Sequence, residues 1–184
     1  MAKARTPRQS WIDEGLRVLA AGGPDAVRVE VLAKNLGVTK GGFYGFFADR
    51  DALLEAMLDD WERRSVADVL ARVEHEDGTA VSRAAHARDL TFSEELLPID
   101  LAVREWARRD EAVAERLRRV DAGRIDLLRS VIGTAYSDPV EVEARAALAM
   151  LSTVGAHFAA IDHGDLGGAE AHARLARIVL GEAL

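Results

Sequence analysis

Residues 28–47 read Arg28-Val-Glu-Val-Leu32-Ala-Lys-Asn-Leu36-Gly37-Val-Thr39-Lys40-Gly-Gly-Phe43-Tyr44-Gly-Phe-Phe47. Val29, Leu32, Ala33 and Leu36 recur at spacings of three and four, so the spacing predicts a short amphipathic helix over about 28–36. Gly37 stands where a left-handed C-cap belongs, and Thr39 is a natural N-cap for a third helix through Phe47. Two helices joined by a tight glycine turn within some twenty positions have the dimensions of a helix-turn-helix that reads DNA. The second of them holds Gly41, Gly42 and Gly45, although each glycine costs about 1 kcal/mol relative to alanine inside a helix. A segment so poor in helix propensity fits a surface where the backbone must approach something closely. Gly41, Gly42, Gly45, Lys40 and Tyr44 would form its outer face against the major groove, while Phe43 and Phe47, four apart, anchor its inner face.

Outward from this stretch the chain reads as helix throughout, with no strand candidate. Upstream, Thr6 and Pro7 start a helix whose inner face carries Trp11, Ile12, Leu16 and Leu19 and which stops at Gly22-Gly23. Downstream, a fourth helix opens at Asp49 and is expected to run to about Glu76. Further helices are expected over 79–97, 99–109, 111–135, 139–162 and 168–184. Asp138-Pro139-Val140-Glu141 combines an N-cap acid, a first-turn proline and a capping-box glutamate. The expected fold class is therefore all-α, with a helix-turn-helix domain over residues 1–50 and a helical domain over residues 51–184.

The 184 residues carry a net charge of -7, which by itself speaks against a polyanionic partner. The distribution speaks otherwise. Residues 1–50 hold eight lysines and arginines against five acids, so a basic head is joined to an acidic remainder, as expected of a chain that meets nucleic acid at one end only. There is no cysteine, which excludes disulfides, thiolate nucleophiles and cysteine-zinc sites. The start lacks an apolar leader and no stretch approaches a membrane span, so a cytoplasmic location is expected.

The pattern Val29-x-x-Leu32-Ala33-x-x-x-Gly37-Val38-Thr39-Lys40-Gly41-Gly42-Phe43-Tyr44-x-x-Phe47-x-x-Arg50-x-x-Leu53-Leu54 resembles the signature of the TetR (tetracycline-repressor-like) transcriptional regulators. The resemblance covers residues 5–55. It implies a homodimer on a palindromic operator, usually a repressor released when a small molecule enters the C-terminal domain. It further implies phosphate and groove contacts from Thr39 and Lys40, bases facing Gly41, Gly42 and Gly45, and a backbone phosphate bound by Tyr44. Arg50 stands where the family often has lysine, and would grip phosphate at the start of the fourth helix. Two departures touch phosphate contacts: Val29 replaces the usual threonine and Phe46 a frequent histidine. With glycine facing the bases, specificity is expected to lean on Lys40, the arm carrying Lys3, Arg5 and Arg8, and DNA shape.

The last two helices present Ala144, Ala147, Leu148, Leu151, Gly155, Phe158, Leu175, Ile178 and Val179. Such stripes either form a dimer interface with their symmetry mates or fill the monomer's core. An effector cavity in the helical body would draw on Phe92, Trp106, Tyr136, Met150 and His157, each of which fits ordinary core packing more readily. Arg104 and Arg108 could meet an anionic ligand or form a wet helix face. The rival readings are a helical enzyme and an interaction protein with a vestigial helix-turn-helix. His157 and His163 are six apart, on different helix faces, and no phosphate loop or acylation motif occurs. No catalytic residue, metal or cofactor is expected.

Overall fold

Asp49 and Asp138 cap the helices that follow them, and Gly23 and Gly37 take positive φ just beyond two others. The computed structural model describes residues 6–74, 80–159 and 168–180, and among them every regular element is helical. The order is α1 (Arg8–Gly22), a 3-10 turn (Pro24–Ala26), α2 (Val29–Asn35), α3 (Lys40–Phe43), α4 (Arg50–Glu62), a π-helical segment (Arg63–Ala67) and α5 (Asp68–Glu74). There follow α6 (Ala80–Thr91), α7 (Leu96–Ala107), α8 (Glu111–Ile132), α9 (Pro139–Gly155) and α10 (Gly168–Leu180). None of the described helices is long and apolar enough to cross a membrane.

Several boundaries differ from expectation for identifiable reasons. The third helix is a single turn, Lys40–Phe43, followed by a turn over 44–46, as its glycine content favours. The fourth ends at Glu62, where the hydrogen-bond ladder widens into the π segment, a local change of register that periodicity does not announce. The helix expected over 79–97 is broken after Thr91. Ser93, not Pro98, restarts the chain: its Oγ accepts from the Leu96 amide at 3.3 Å, and Pro98 falls in the first turn of α7, where its missing N–H costs nothing. The expected end of the 139–162 helix lies outside the described residues.

The chain divides into two compact units, Met1–Val69 with Leu90–Val120, and Leu70–Asp89 with Asp121–Leu184. In the first, α1 buries Trp11, Ile12, Leu16 and Leu19 against Leu32 and Ala33 of α2 and Phe43 and Phe47 around α3. Leu53, Met57 and Trp61 of α4 and Ile99 and Val103 of α7 complete the same core. α1 and α4 approach closely at Gly15, where a Cβ would sit 2.6 Å from the Met57 sulfur. In the second unit, Ile132 and Ala146 pack with Leu128, Tyr136 and Val142, and Arg145 donates to the Val179 carbonyl at 2.5 Å, tying α9 to α10.

Charge pairs stitch the first unit's surface. Arg64, in the π segment, reaches Asp13 of α1 at 2.5 Å, Asp60 of α4 at 2.6 Å and Glu95 at 2.9 Å. Glu14 accepts from Arg17 at 2.8 and 2.6 Å and from the Asn35 amide at 2.7 Å, joining α1 to the end of α2. The Arg17 guanidinium first, and Asn35 after it, hold the Glu14 carboxyl below its ordinary value of 4.5. A folded value below the unfolded one means stability present above about 4.5 and lost as pH falls through the folded value. Glu14→Gln is therefore expected to be less stable than the parent at neutral pH, and the gap should close well below pH 4.5. Urea denaturation of both proteins across that range checks it, and a gap independent of pH would assign the effect to packing.

Candidate nucleic-acid interface

The turn between α2 and α3 is built as its glycine foretells. Gly37 has φ of 66°, in the left-handed region that glycine occupies without strain. The Val38 amide donates to the Ala33 carbonyl at 2.9 Å and the Gly37 amide to Lys34 at 3.1 Å, the double closure that ends a helix and turns the chain sharply. Thr39 occupies the N-cap position of α3 without a side-chain cap bond, so its hydroxyl is not committed to capping the helix.

From there α3 presents two unlike faces. Phe43 and Phe47 are buried; their rings stack with centroids 5.2 Å apart, and Trp11 meets Phe43 edge-on at 5.4 Å. On the other side Thr39, Lys40, Gly41, Tyr44 and Gly45 are exposed. Lys40 keeps 53 % of its side chain in solvent, and Tyr44 is 62 % exposed. Gly42 is half-buried, with Trp11 behind it. A Cβ at Gly41 would come no nearer than 3.7 Å to the Thr39 hydroxyl, and one at Gly42 no nearer than 3.8 Å to Trp11. Neither glycine has a positive φ. The protein's own packing therefore does not require glycine at 41 or 42, where alanine would favour the helix.

Arg50 is placed differently from its neighbours in the motif. Its Nε donates to the Val27 carbonyl at 2.7 Å and its Nη2 to the Pro24 carbonyl at 2.5 Å, while Asp51 lies 3.7 Å from Nη1. The start of α4 is capped by Asp49, whose carboxylate accepts from the Ala52 amide at 2.8 Å. Arg50 thus braces the turn that leads into α2. Two surface features went unread in the sequence. The exposed Arg8 guanidinium lies 5.0 Å from the centre of the Phe47 ring, and Glu30 holds Lys40, with Oε1 2.5 Å from Nζ. Arg8 and Phe47 are thirty-nine positions apart in sequence, so no local periodicity pairs them.

The effector candidates are dispersed. Phe92 and Trp106 belong to the first unit, and Tyr136, Met150 and His157 to the second. Trp106 lines a cavity of about 330 Å³ with Leu54, Leu58, Val113 and Arg116. Tyr136 is half-buried beneath the Arg145 guanidinium, 4.2 Å from its ring centre. Met150 is half-buried and His157 exposed. Arg104 is committed to the buried Asp100 at 2.8 Å, whereas Arg108 is exposed with Glu105 at 3.8 Å. Among the described residues no group of three or more histidines and acids is placed to hold a metal ion.

Comparison with known proteins places this geometry. Residues 12–57 match the TetR family of bacterial regulatory proteins over the helix-turn-helix. No curated relative matches the chain in sequence. Among solved structures, a transcriptional regulator from Rhodococcus sp. Rha1 is similar, with 22% identity, 97% of this chain and 96% of that one covered, and a TM-score of 0.71. The regulator FadR from Bacillus subtilis, solved with stearoyl-CoA, has 15% identity, covers 97% and 100%, and scores 0.61. AibR, solved with isovaleryl coenzyme A and operator DNA, has 18% identity, covers 94% and 95%, and scores 0.57. These identities speak to fold over the whole length, while the matched segment carries the residues of the exposed α3 face. Over residues 12–57 the chain thus carries the segment shared by the TetR family of bacterial regulatory proteins.

Proposed function

We propose that the protein is a cytoplasmic transcriptional repressor that binds a palindromic operator as a homodimer and leaves it when a small molecule enters the helical body. The observation that carries the DNA reading is the outer face of α3, where Lys40, Gly41, Tyr44 and Gly45 stand exposed above a buried Phe43 and Phe47. In this reading residues 1–50 supply the DNA contacts. Thr39, Lys40 and Tyr44 bind phosphate, and Gly41, Gly42 and Gly45 admit the backbone to the groove. Arg50 acts chiefly as a positioning residue through Pro24 and Val27, reaching phosphate only through its remaining donors. Residues 51–184 supply dimerisation and effector binding.

The dimer reading is supported by the second unit's unburied apolar side chains. Val140, Leu148, Leu151 and Phe158 in and just beyond α9, and Leu175 and Ile178 of α10, are exposed in the single chain. Large apolar groups on two adjacent helices are suited to a four-helix interface. Two heads so joined could meet half-sites about 34–36 Å apart. The acyl-coenzyme A thioesters bound by FadR and AibR are the first compounds to screen as effectors.

The test is an anisotropy titration of full-length protein against duplex DNA from immediately upstream of its own coding sequence, at two salt concentrations, with a scrambled duplex as control. The expected result is salt-sensitive binding that exceeds the control by about a hundredfold or more. Lys40→Ala and Tyr44→Ala should each weaken it about tenfold while the protein stays folded at the titration temperature. Equal, weak binding of both duplexes by every protein would reject the reading.

A further inference from the structure

We propose that Glu30 is a built-in competitor for DNA phosphate, which holds the Lys40 ammonium in the free protein and thereby suppresses binding to duplexes of the wrong sequence. The inference rests on α3 being the DNA-reading face. It goes beyond that reading by assigning discrimination to an acidic residue outside α3.

Glu30 lies in the first turn of α2 and Lys40 opens α3. Ten positions apart, they meet across the Gly37 turn with Oε1 2.5 Å from Nζ, and both side chains remain more than half exposed, 61 % and 53 %. Neither is needed to fill the core. The contact lies at the edge of the same face that exposes Thr39, Gly41 and Tyr44. The Lys40 ammonium first, and a hydrogen bond from Glu30's own backbone amide after it, hold the Glu30 carboxyl below its ordinary range, so the carboxyl is ionised at neutral pH.

Non-specific binding to DNA is almost wholly electrostatic: each phosphate neutralised by a cation releases condensed counterions. A lysine already neutralised by a carboxylate brings no such gain. When Lys40 turns to phosphate, Glu30 is left as an unpaired anion facing a polyanion, and it recruits a cation from solution to replace the one lost. The exchange is close to neutral in released ions and carries a repulsion across a short gap. A wrong sequence offers only phosphate in return, whereas the right sequence adds base-edge and shape complementarity that offset the lost pair. Glu30 thus lowers affinity for every duplex by a common factor, and a duplex of the wrong sequence, held by electrostatics alone, is the one that falls too low to compete.

The experiment uses the full-length protein and the variants Glu30→Gln, Lys40→Gln and the double variant, titrated by anisotropy against a duplex of random sequence over a range of salt. Glu30→Gln is expected to bind about tenfold tighter at low salt, with a log-log salt slope steeper by about one per head. In the Lys40→Gln background the same change should have less than half that effect. A carboxyl carbon-13 NMR titration without DNA provides an independent readout: the Glu30 midpoint should rise in Lys40→Gln. If the parent binds DNA and Glu30→Gln binds no tighter, or tightens equally without Lys40, the competitor role is overturned while the DNA reading stands. If NMR shows the pair but no protein binds any duplex, the DNA reading fails and the competitor role fails with it.

Discussion

Phe43→Ala is expected to lower the stability of the first unit by about 3–5 kcal/mol and to abolish DNA binding at temperatures where the parent is fully folded. The magnitude follows from what the ring touches. It is fully buried, Trp11 lies edge-on at 5.4 Å, and Phe47 stacks at 5.2 Å. α3 is a single turn that cannot support itself. Its place is fixed almost entirely by this ring, so truncation both opens a cavity and releases the reading face. Urea denaturation followed by circular dichroism and tryptophan fluorescence measures the loss. Tyr44→Ala provides the comparison: its ring meets Phe43 edge-on at 5.3 Å but is 62 % exposed, so its loss should cost at most about 1.5 kcal/mol. A cost below about 1 kcal/mol for Phe43→Ala would mean that α3 is held by something other than its aromatic inner face.

Arg104→Met is expected to cost about as much, 3–5 kcal/mol, by a different route. Asp100 is 1 % exposed and Arg104 14 %, one turn apart on α7, with Nε 2.8 Å from Oδ2. Two charges taken out of water tolerate burial through the groups that face them, and removal of the cation takes from the buried Asp100 carboxylate its charged contact at 2.8 Å. The double variant Asp100→Leu/Arg104→Met should recover most of the loss, because an apolar pair of similar volume carries no desolvation penalty. Denaturation midpoints of the two single variants and the double variant decide the matter. A double variant no better than Arg104→Met would show that the pair acts through shape.

Much of this architecture is legible in the sequence, and the places where it is not share a physical cause. Periodicity and caps, read over a few turns, locate α1, α2, the Gly37 turn, the Asp49 and Asp138 caps and the inward placement of Phe43 and Phe47. Events that depend on partners distant in sequence are not written in any local pattern. The π segment at Arg63–Ala67 is accompanied by Arg64 reaching Asp13 and Glu95, residues from elements far away in the chain. Arg50 looks like a phosphate residue by position, and only the carbonyls of Pro24 and Val27 show its bracing duty. Glu30 reads as one more acid in a basic head, and only its approach to the Lys40 ammonium across the Gly37 turn sets it apart. The residues proposed for the DNA-reading face stand out because they break local rules, with glycines where a helix would prefer alanine.

Gly15 and Met57 set the terms on which such a head can be exchanged between proteins. α1 has a notch at Gly15 into which the Met57 thioether of α4 fits, and a larger residue at 15 would make that side chain shift. A graft joined in the turn before α4 would separate the notch from its occupant and uncover Trp11 and Leu16 where Leu53, Met57 and Trp61 now lie. Recombination at that seam would yield heads with mismatched partners, so these two positions should be inherited together. Transfer of operator preference is accordingly simplest by exchanging a few surface side chains of α3 and leaving the transplant's foundations in place.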